Sequence, residues 1–156
     1  MPVSARAACP VAVVADEPRT PRGPAHLVVG VDGSEASGAA VAFALEEAQL
    51  LGASLRAVWV WPHPRLPLGG TLAQNPGALA GGPAGDEPAA AQRRRLLSAA
   101  VAGRPEKYPD VPFSEHVLRG HPVEELALAS HDALAVVVGR RGHGGYTGMR
   151  LGSVVH

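Results

Sequence analysis

An α/β fold, an open parallel sheet with helices on both faces, is what this sequence of 156 residues predicts. Three observations carry that expectation. Nearly continuous apolar runs of strand length occur at 26–31, 55–61 and 134–138, as suits strands buried on both faces. Segments of helical spacing alternate with them, which implies βαβ units and right-handed crossovers. Finally, Asp32-Gly33-Ser34 follows the first run and a glycine-rich loop from Gly139 follows the last. Both therefore belong at the carboxyl ends of strands, where open parallel sheets bind ligands.

The elements follow in order. His26 to Val31 is the first strand, and Ser34 caps the helix after it, with Glu35 in the first turn where the helix dipole favours a carboxylate. Val41, Ala44, Leu45 and Ala48 recur at helical spacing, and Gly52 marks the stop. Leu55 to Trp61 is the second strand, closed by Pro62. Trp59 and Trp61 alternate with Val58 and Val60, so the two indoles share one sheet face, as core packing or as cover under a ligand. From there to about Pro88 the chain is rich in Gly, Pro and Ala, longer than an ordinary connection and readable as a lid or a partly disordered stretch. Ala89 to Gly103 is a second helix, whose Arg93-Arg94-Arg95 reads as a solvated face rather than a nucleic-acid patch. Val111 to Arg119 is a third strand. Pro122 then opens a third helix with Glu124 and Glu125 in its first turn, and Leu134 to Val138 is the fourth strand.

Composition narrows the function. Lys and Arg number 14, as do Asp and Glu, for a net charge of zero, which argues against a nucleic-acid or anionic-membrane partner. No apolar run approaches the roughly 20 residues of a membrane helix. The short run Val11 to Ala15 is followed by acids, unlike a secretory signal, so the expected compartment is the cytoplasm. Cys9 is the single cysteine, which excludes an intrachain disulfide and a cysteine metal cluster. Seven histidines show no paired-ligand spacing, so no metal site is expected. His143 alone sits in the glycine loop. No Ser/His/Asp constellation can be assembled, and no catalytic residue is assigned.

The glycine loop runs from Gly139 to Ser153 and holds six glycines. Glycine lets a backbone approach a ligand with no Cβ in the way. Successive N–H groups can form an anion nest, strengthened by a helix starting at Ser153, and a polyphosphate is the natural guest. It is not a Walker loop, because Gly-Lys-Ser/Thr is missing and the one lysine, Lys107, lies elsewhere. Nor is it the dinucleotide fingerprint, because Thr147 stands where the third glycine should be. A surface loop without function is the alternative reading.

The spacing Gly-x2-Gly-x9-Gly-Ser, met at Gly139, Gly142, Gly152 and Ser153, resembles the ATP-binding loop of the universal stress protein family. The likeness extends to Val28-Val-Gly-Val-Asp32-Gly-Ser34, to Gly120-His-Pro and to Val136-Val-Val-Gly139, and spans about residues 26–155. It implies a Rossmann-like sheet of the adenine nucleotide alpha hydrolase type and an ATP ligand, with Mg2+. Asp32 would hydrogen-bond the ribose or adenine, and the backbone of Val60 would meet the adenine edge. Gly139 would lie against the ribose, while Gly142, Gly152, Ser153 and Val154 would hold the phosphates. Arg140 and Arg141 would add charge near the nucleotide or remain solvated.

The same resemblance implies a last helix and fifth strand after the loop, so residues 26–156 are expected to be a C-terminally incomplete copy of the domain. Residues 1–25 resemble the last strand of a preceding copy plus a proline-rich linker, with Cys9-Pro-Val before a valine run. Residues 9–15 are expected to fill the fifth-strand slot, within the chain or in a partner, the alternatives being a fifth strand from a separate partner or a disordered tail; a homodimer or partner domain would meet that edge. The implied function is an ATP-binding regulatory domain in stress response. The alternatives are a nucleotide-free interaction module, or a weak ATP-hydrolysing or phosphoryl-transferring enzyme.

Overall fold

The computed structural model of the chain describes residues 7–14, 22–61 and 87–142. Strand β1 (His26–Gly30) leads into helix α1 (Glu35–Leu51), then strand β2 (Ser54–Trp61), helix α2 (Glu87–Val101), strand β3 (Phe113–Arg119), helix α3 (Pro122–Ala129) and strand β4 (Ala135–Val137). A short 3-10 turn, Pro105–Lys107, joins α2 to β3. All four strands are parallel, in the order β3-β2-β1-β4. The Rossmann-like α/β architecture is thus the one expected.

Alternation along the strands sends side chains to two cores. Leu27, Val29, Leu55 and Ala57 face α1 and α2, joining Val41, Ala44, Leu45 and Ala48 of α1 and Leu97 and Val101 of α2. Val28 and Val58 face the other way, onto Leu126 of α3. The interior therefore sits mainly between the sheet and α1–α2. His26, at the foot of β1, is buried, with Nδ1 donating to the Pro24 carbonyl at 3.1 Å.

The helix ends follow local chemistry. Ser34 caps α1 as expected, its Oγ accepting from the Ser37 N–H at 3.1 Å. Gly52 ends α1 at φ 62°, a left-handed conformation that glycine adopts without penalty. The chain enters α2 two residues before the expected Ala89, at Glu87, whose carboxylate suits a first turn.

Three expectations need correction or fall elsewhere. β4 is three residues long rather than five, because β1, its neighbour among the described residues, offers partners only from Leu27 to Val29. Residues 9–14 do not fill a fifth-strand slot. Residues 7–14 carry no strand, with Val13 and Val14 exposed, since a three-residue edge gives few ladder bonds and Pro10 lacks an N–H to donate. The stretch 62–86, expected to be a lid or disordered, lies outside the described residues.

Burial sets the cost of truncation. Leu45→Ala, in the fully buried α1 face, should destabilise the domain by about 2–5 kcal/mol. Leu50→Ala, at a residue 79% exposed on the same helix, should change stability by less than about 0.5 kcal/mol. Urea unfolding followed by circular dichroism checks both.

Candidate functional site

The strand order decides where a ligand can enter. The chain moves from β1 to β2 to β3 in one direction and then returns to place β4 on the opposite side of β1. The loops leaving β1 and β4 therefore stand side by side at the carboxyl ends of the strands, at the point where the strand order reverses, which is where open parallel sheets bind ligands, in the crevice outside those ends. The β1 loop carries Asp32, and the β4 loop carries Gly139 and Gly142.

A chain of short hydrogen bonds fixes Asp32. Its Oδ1 accepts from the Ser34 N–H at 3.0 Å and from the Ser34 hydroxyl at 2.7 Å. The same hydroxyl oxygen accepts from the Ser37 N–H at 3.1 Å, and the Ser37 hydroxyl donates to the Ser34 carbonyl at 2.9 Å. One serine thus caps α1 and aims the aspartate. The turn between them needs Gly33, at φ 80°, where a Cβ would also stand 3.2 Å from the Trp59 ring.

The β4 loop closes onto this structure at its two glycines. A Cβ at Gly139 would lie 2.8 Å from the Ala36 carbonyl carbon and 3.0 Å from the Ser37 nitrogen, in the first turn of α1. A Cβ at Gly142 would overlap Asp32 Oδ2. The backbone after β4 therefore passes against both the α1 N-terminus and the aspartate, as a cradle for a ligand's polar groups requires. Arg140 turns away from it, donating from Nη1 to the Ala7 carbonyl at 3.3 Å, and Arg141 is exposed.

Val60 stands at the third side of the crevice. β1 pairs with β2 only as far as Gly30 and Val58, with a closing bond from the Val31 N–H to the Val58 carbonyl at 2.9 Å. Peptide groups along a strand alternate between its neighbours, so Trp61 serves β3, its carbonyl accepting from the Gly120 N–H at 3.0 Å. The N–H and C=O of Val60 then point to the β1 side, one rung beyond the last bond of that ladder. Asp32, Val60, Gly139 and Gly142 accordingly share the carboxyl end of the sheet. Gly152, Ser153 and Val154, like His143, lie outside the described residues.

Two features escaped the sequence reading. The sequence marks Ser34 as a cap, and the pairing with Asp32 goes beyond that; the signal for it is an acid two residues before a serine cap. The run Arg93-Arg94-Arg95 predicts a solvated face, yet the Arg93 guanidinium lies 6.0 Å from the Trp61 ring centroid. Among the described residues no cluster of three or more His, Cys, Asp or Glu side chains could hold a metal ion, and no helix is long and apolar enough to cross a membrane.

Comparison with known proteins gives one consistent answer. The model of the universal stress protein family matches residues 25–156. A universal stress protein of Mycobacterium tuberculosis strain H37Rv is 40% identical over 152 residues, covering 96% of this chain and 47% of its own length. A second one from that strain is 37% identical over 149 residues, with 94% and 46% covered. The chain spans about half the length of the curated relatives it matches. Among solved structures, the universal stress protein UspA from Lactobacillus plantarum superposes with a TM-score of 0.54 at 23% identity, covering 84% of this chain and 87% of that one. The hypothetical protein MJ0577 does so at 0.57 and 14% identity, with 84% and 85% covered. These two structures share the fold.

The site geometry has measurable consequences for stability alone. Ser34→Ala removes the α1 cap and should cost about 0.5–2 kcal/mol, whereas Ser34→Thr keeps the hydroxyl and should lose much less. Gly139→Ala places a methyl against backbone that cannot rotate away and should cost about 1–3 kcal/mol. Denaturant unfolding of the three variants provides the comparison.

Proposed function

The chain belongs to the universal stress protein family, and from that premise we propose that residues 26–156 form an ATP-binding domain that regulates a stress response rather than catalysing a reaction. The observation that carries the reading is the close approach of Gly142 to the Asp32 carboxylate at the point where the strand order reverses. An acid aimed by its own helix cap, beside a loop that lacks a Cβ at Gly139 and Gly142, suits a ribose hydroxyl next to a phosphate.

In this reading Asp32 accepts from the ribose or the adenine, and the outward N–H and C=O of Val60 meet the adenine edge. Gly139 lies along the ribose. Gly142, Gly152, Ser153 and Val154 hold the phosphates with Mg2+ as counter-ion, the last three assigned by the loop's spacing alone. The nucleotide is a ligand that orders the loop. Lys107 follows α2 and precedes β3, at the amino ends of the strands, so it is no phosphate clamp. Without such a clamp or a general base, Ser153 and backbone donors would support at most weak hydrolysis. Residues 1–25 are read as the end of a preceding copy of the domain. A partner domain or second copy would pair beside β4, and the compartment would be the cytoplasm.

Isothermal titration with Mg-ATP tests the reading. Wild-type chain should give saturable 1:1 heat, and Asp32→Ala and Gly142→Ala should each weaken binding by about tenfold or more. A folded wild-type chain that gives no heat would sink the ATP reading, and sustained phosphate release would replace the regulator with an enzyme.

A further inference from the structure

We propose that Trp59 is a positioning residue: its indole holds the Gly33 turn in place and, through that turn, aims the Asp32 carboxylate. What Asp32 binds rests on the nucleotide reading; how it is aimed does not. The chain around Asp32 is tied on both sides. The Val31 N–H before it donates to the Val58 carbonyl of β2 at 2.9 Å, and Ser34 after it is the cap of α1. Between these ties lie Asp32 and Gly33, and Gly33, at φ 80°, has the conformational freedom of glycine. The far edge of the Trp59 indole lies against it, since a Cβ at Gly33 would stand 3.2 Å from Cη2 and 3.6 Å from Cζ3. Among the described residues beyond its chain neighbours, Trp59 alone comes within 4 Å of that position.

Trp59 is itself anchored. It is the register partner of Val117 in β3, one residue past the last β1–β2 rung, and its ring packs against the buried cluster shared by α1 and α2. On the β1 side the ladder ends at Gly30 and Val58, so what the indole meets there is the turn. An indole is large and rigid, with two torsions to fix; held by the core, it is a fixed stop for the backbone beside it. Asp32 Oδ1 accepts from the Ser34 N–H at 3.0 Å and from the Ser34 hydroxyl at 2.7 Å. Those bonds keep their geometry only while the Gly33 backbone keeps its angles. A carboxylate held in this way meets a ligand without the entropic cost of ordering its loop. Trp61, two residues on and on the same face, stands under Arg93 instead and provides the control.

Trp59→Phe removes the ring edge that meets Gly33 and keeps an aromatic group in the core. Amide hydrogen exchange on the full chain reads the turn with no ligand present, and low urea, which leaves local opening unaffected, separates it from global unfolding. The Ser34 N–H, whose acceptor is Asp32, should exchange about tenfold faster in Trp59→Phe and at the wild-type rate in Trp61→Phe, with circular dichroism confirming both folds. A Ser34 rate that is unchanged in folded Trp59→Phe, or raised as much in Trp61→Phe, overturns the proposal. Titration with Mg-ATP then follows the aim through to binding. The apparent Kd should rise about tenfold in Trp59→Phe. The double variant, Asp32→Ala with Trp59→Phe, should bind no more weakly than Asp32→Ala alone, because Trp59 acts through Asp32. Losses that simply add overturn it. A folded wild-type chain that binds no Mg-ATP refutes the nucleotide reading, and the exchange at Ser34 still decides the role of Trp59.

Discussion

Val28 and Val29 are neighbours in β1, point to opposite faces of the sheet, and are both fully buried. Val28 packs with Leu126 of α3, and Val29 with the cluster shared by α1 and α2. That double burial is possible only if helices cover both sides of the strand, so the connections must part company around β1. Among the described residues two helices go to one face and one to the other, and β4 must then lie on the side of β1 away from β2. The crevice at the carboxyl ends of β1 and β4 is a consequence of packing β1 at the centre, before any ligand is considered.

What fills the two lips of that crevice is decided locally. On the β1 side, Asp32, Ser34 and Ser37 satisfy one another and the first turn of α1 within a few residues. An isolated carboxylate on a flexible loop would sample many orientations; this one is tied to the N-cap of a helix whose opposite face is part of the core. On the β4 side, close approach is purchased by omission. Gly139 and Gly142 lack the atoms that would collide with Ala36 and Asp32. The two lips are therefore mutually fitted, and a side chain added to one displaces the other.

Much of this was legible in the residues. Ser34 and Gly52 bracket α1 because capping is chemistry of single side chains and a single φ angle, and the alternation of Trp59 and Trp61 placed both on one face. Their shared face is the one that α2 covers, with Trp59 in the main core and Trp61 beneath Arg93. The rest depended on what lies across the sheet. The apolar run 134–138 predicts five residues of strand, but β1 pairs with only three of them. The valines before Asp16 look equally strand-like, yet Val13 and Val14 remain exposed, since a β-prone run becomes a strand only where an edge can use its hydrogen bonds. Arg93 looked solvated because its partner, Trp61, is reached only after α2 has folded back over β2. The residues Gly152, Ser153 and Val154 rest on spacing alone.

Net charge is informative about some partners and not about others. Balanced totals argue against a protein that coats a polyanion, because that binding depends on a long-range field. They say little about a small anion, which responds to the few charges and dipoles within a Debye length. Arg93, Arg119, Arg140 and Arg141 all stand near the carboxyl ends of the strands, as does the positive end of the α1 dipole. Acids stand there as well: Asp32 tied to Ser34, Glu35 in the first turn of α1, and Glu125 against Gly120. A neutral chain can thus set charges of both signs side by side at one end of its sheet, and their local arrangement, not the total, decides what a small ligand meets there.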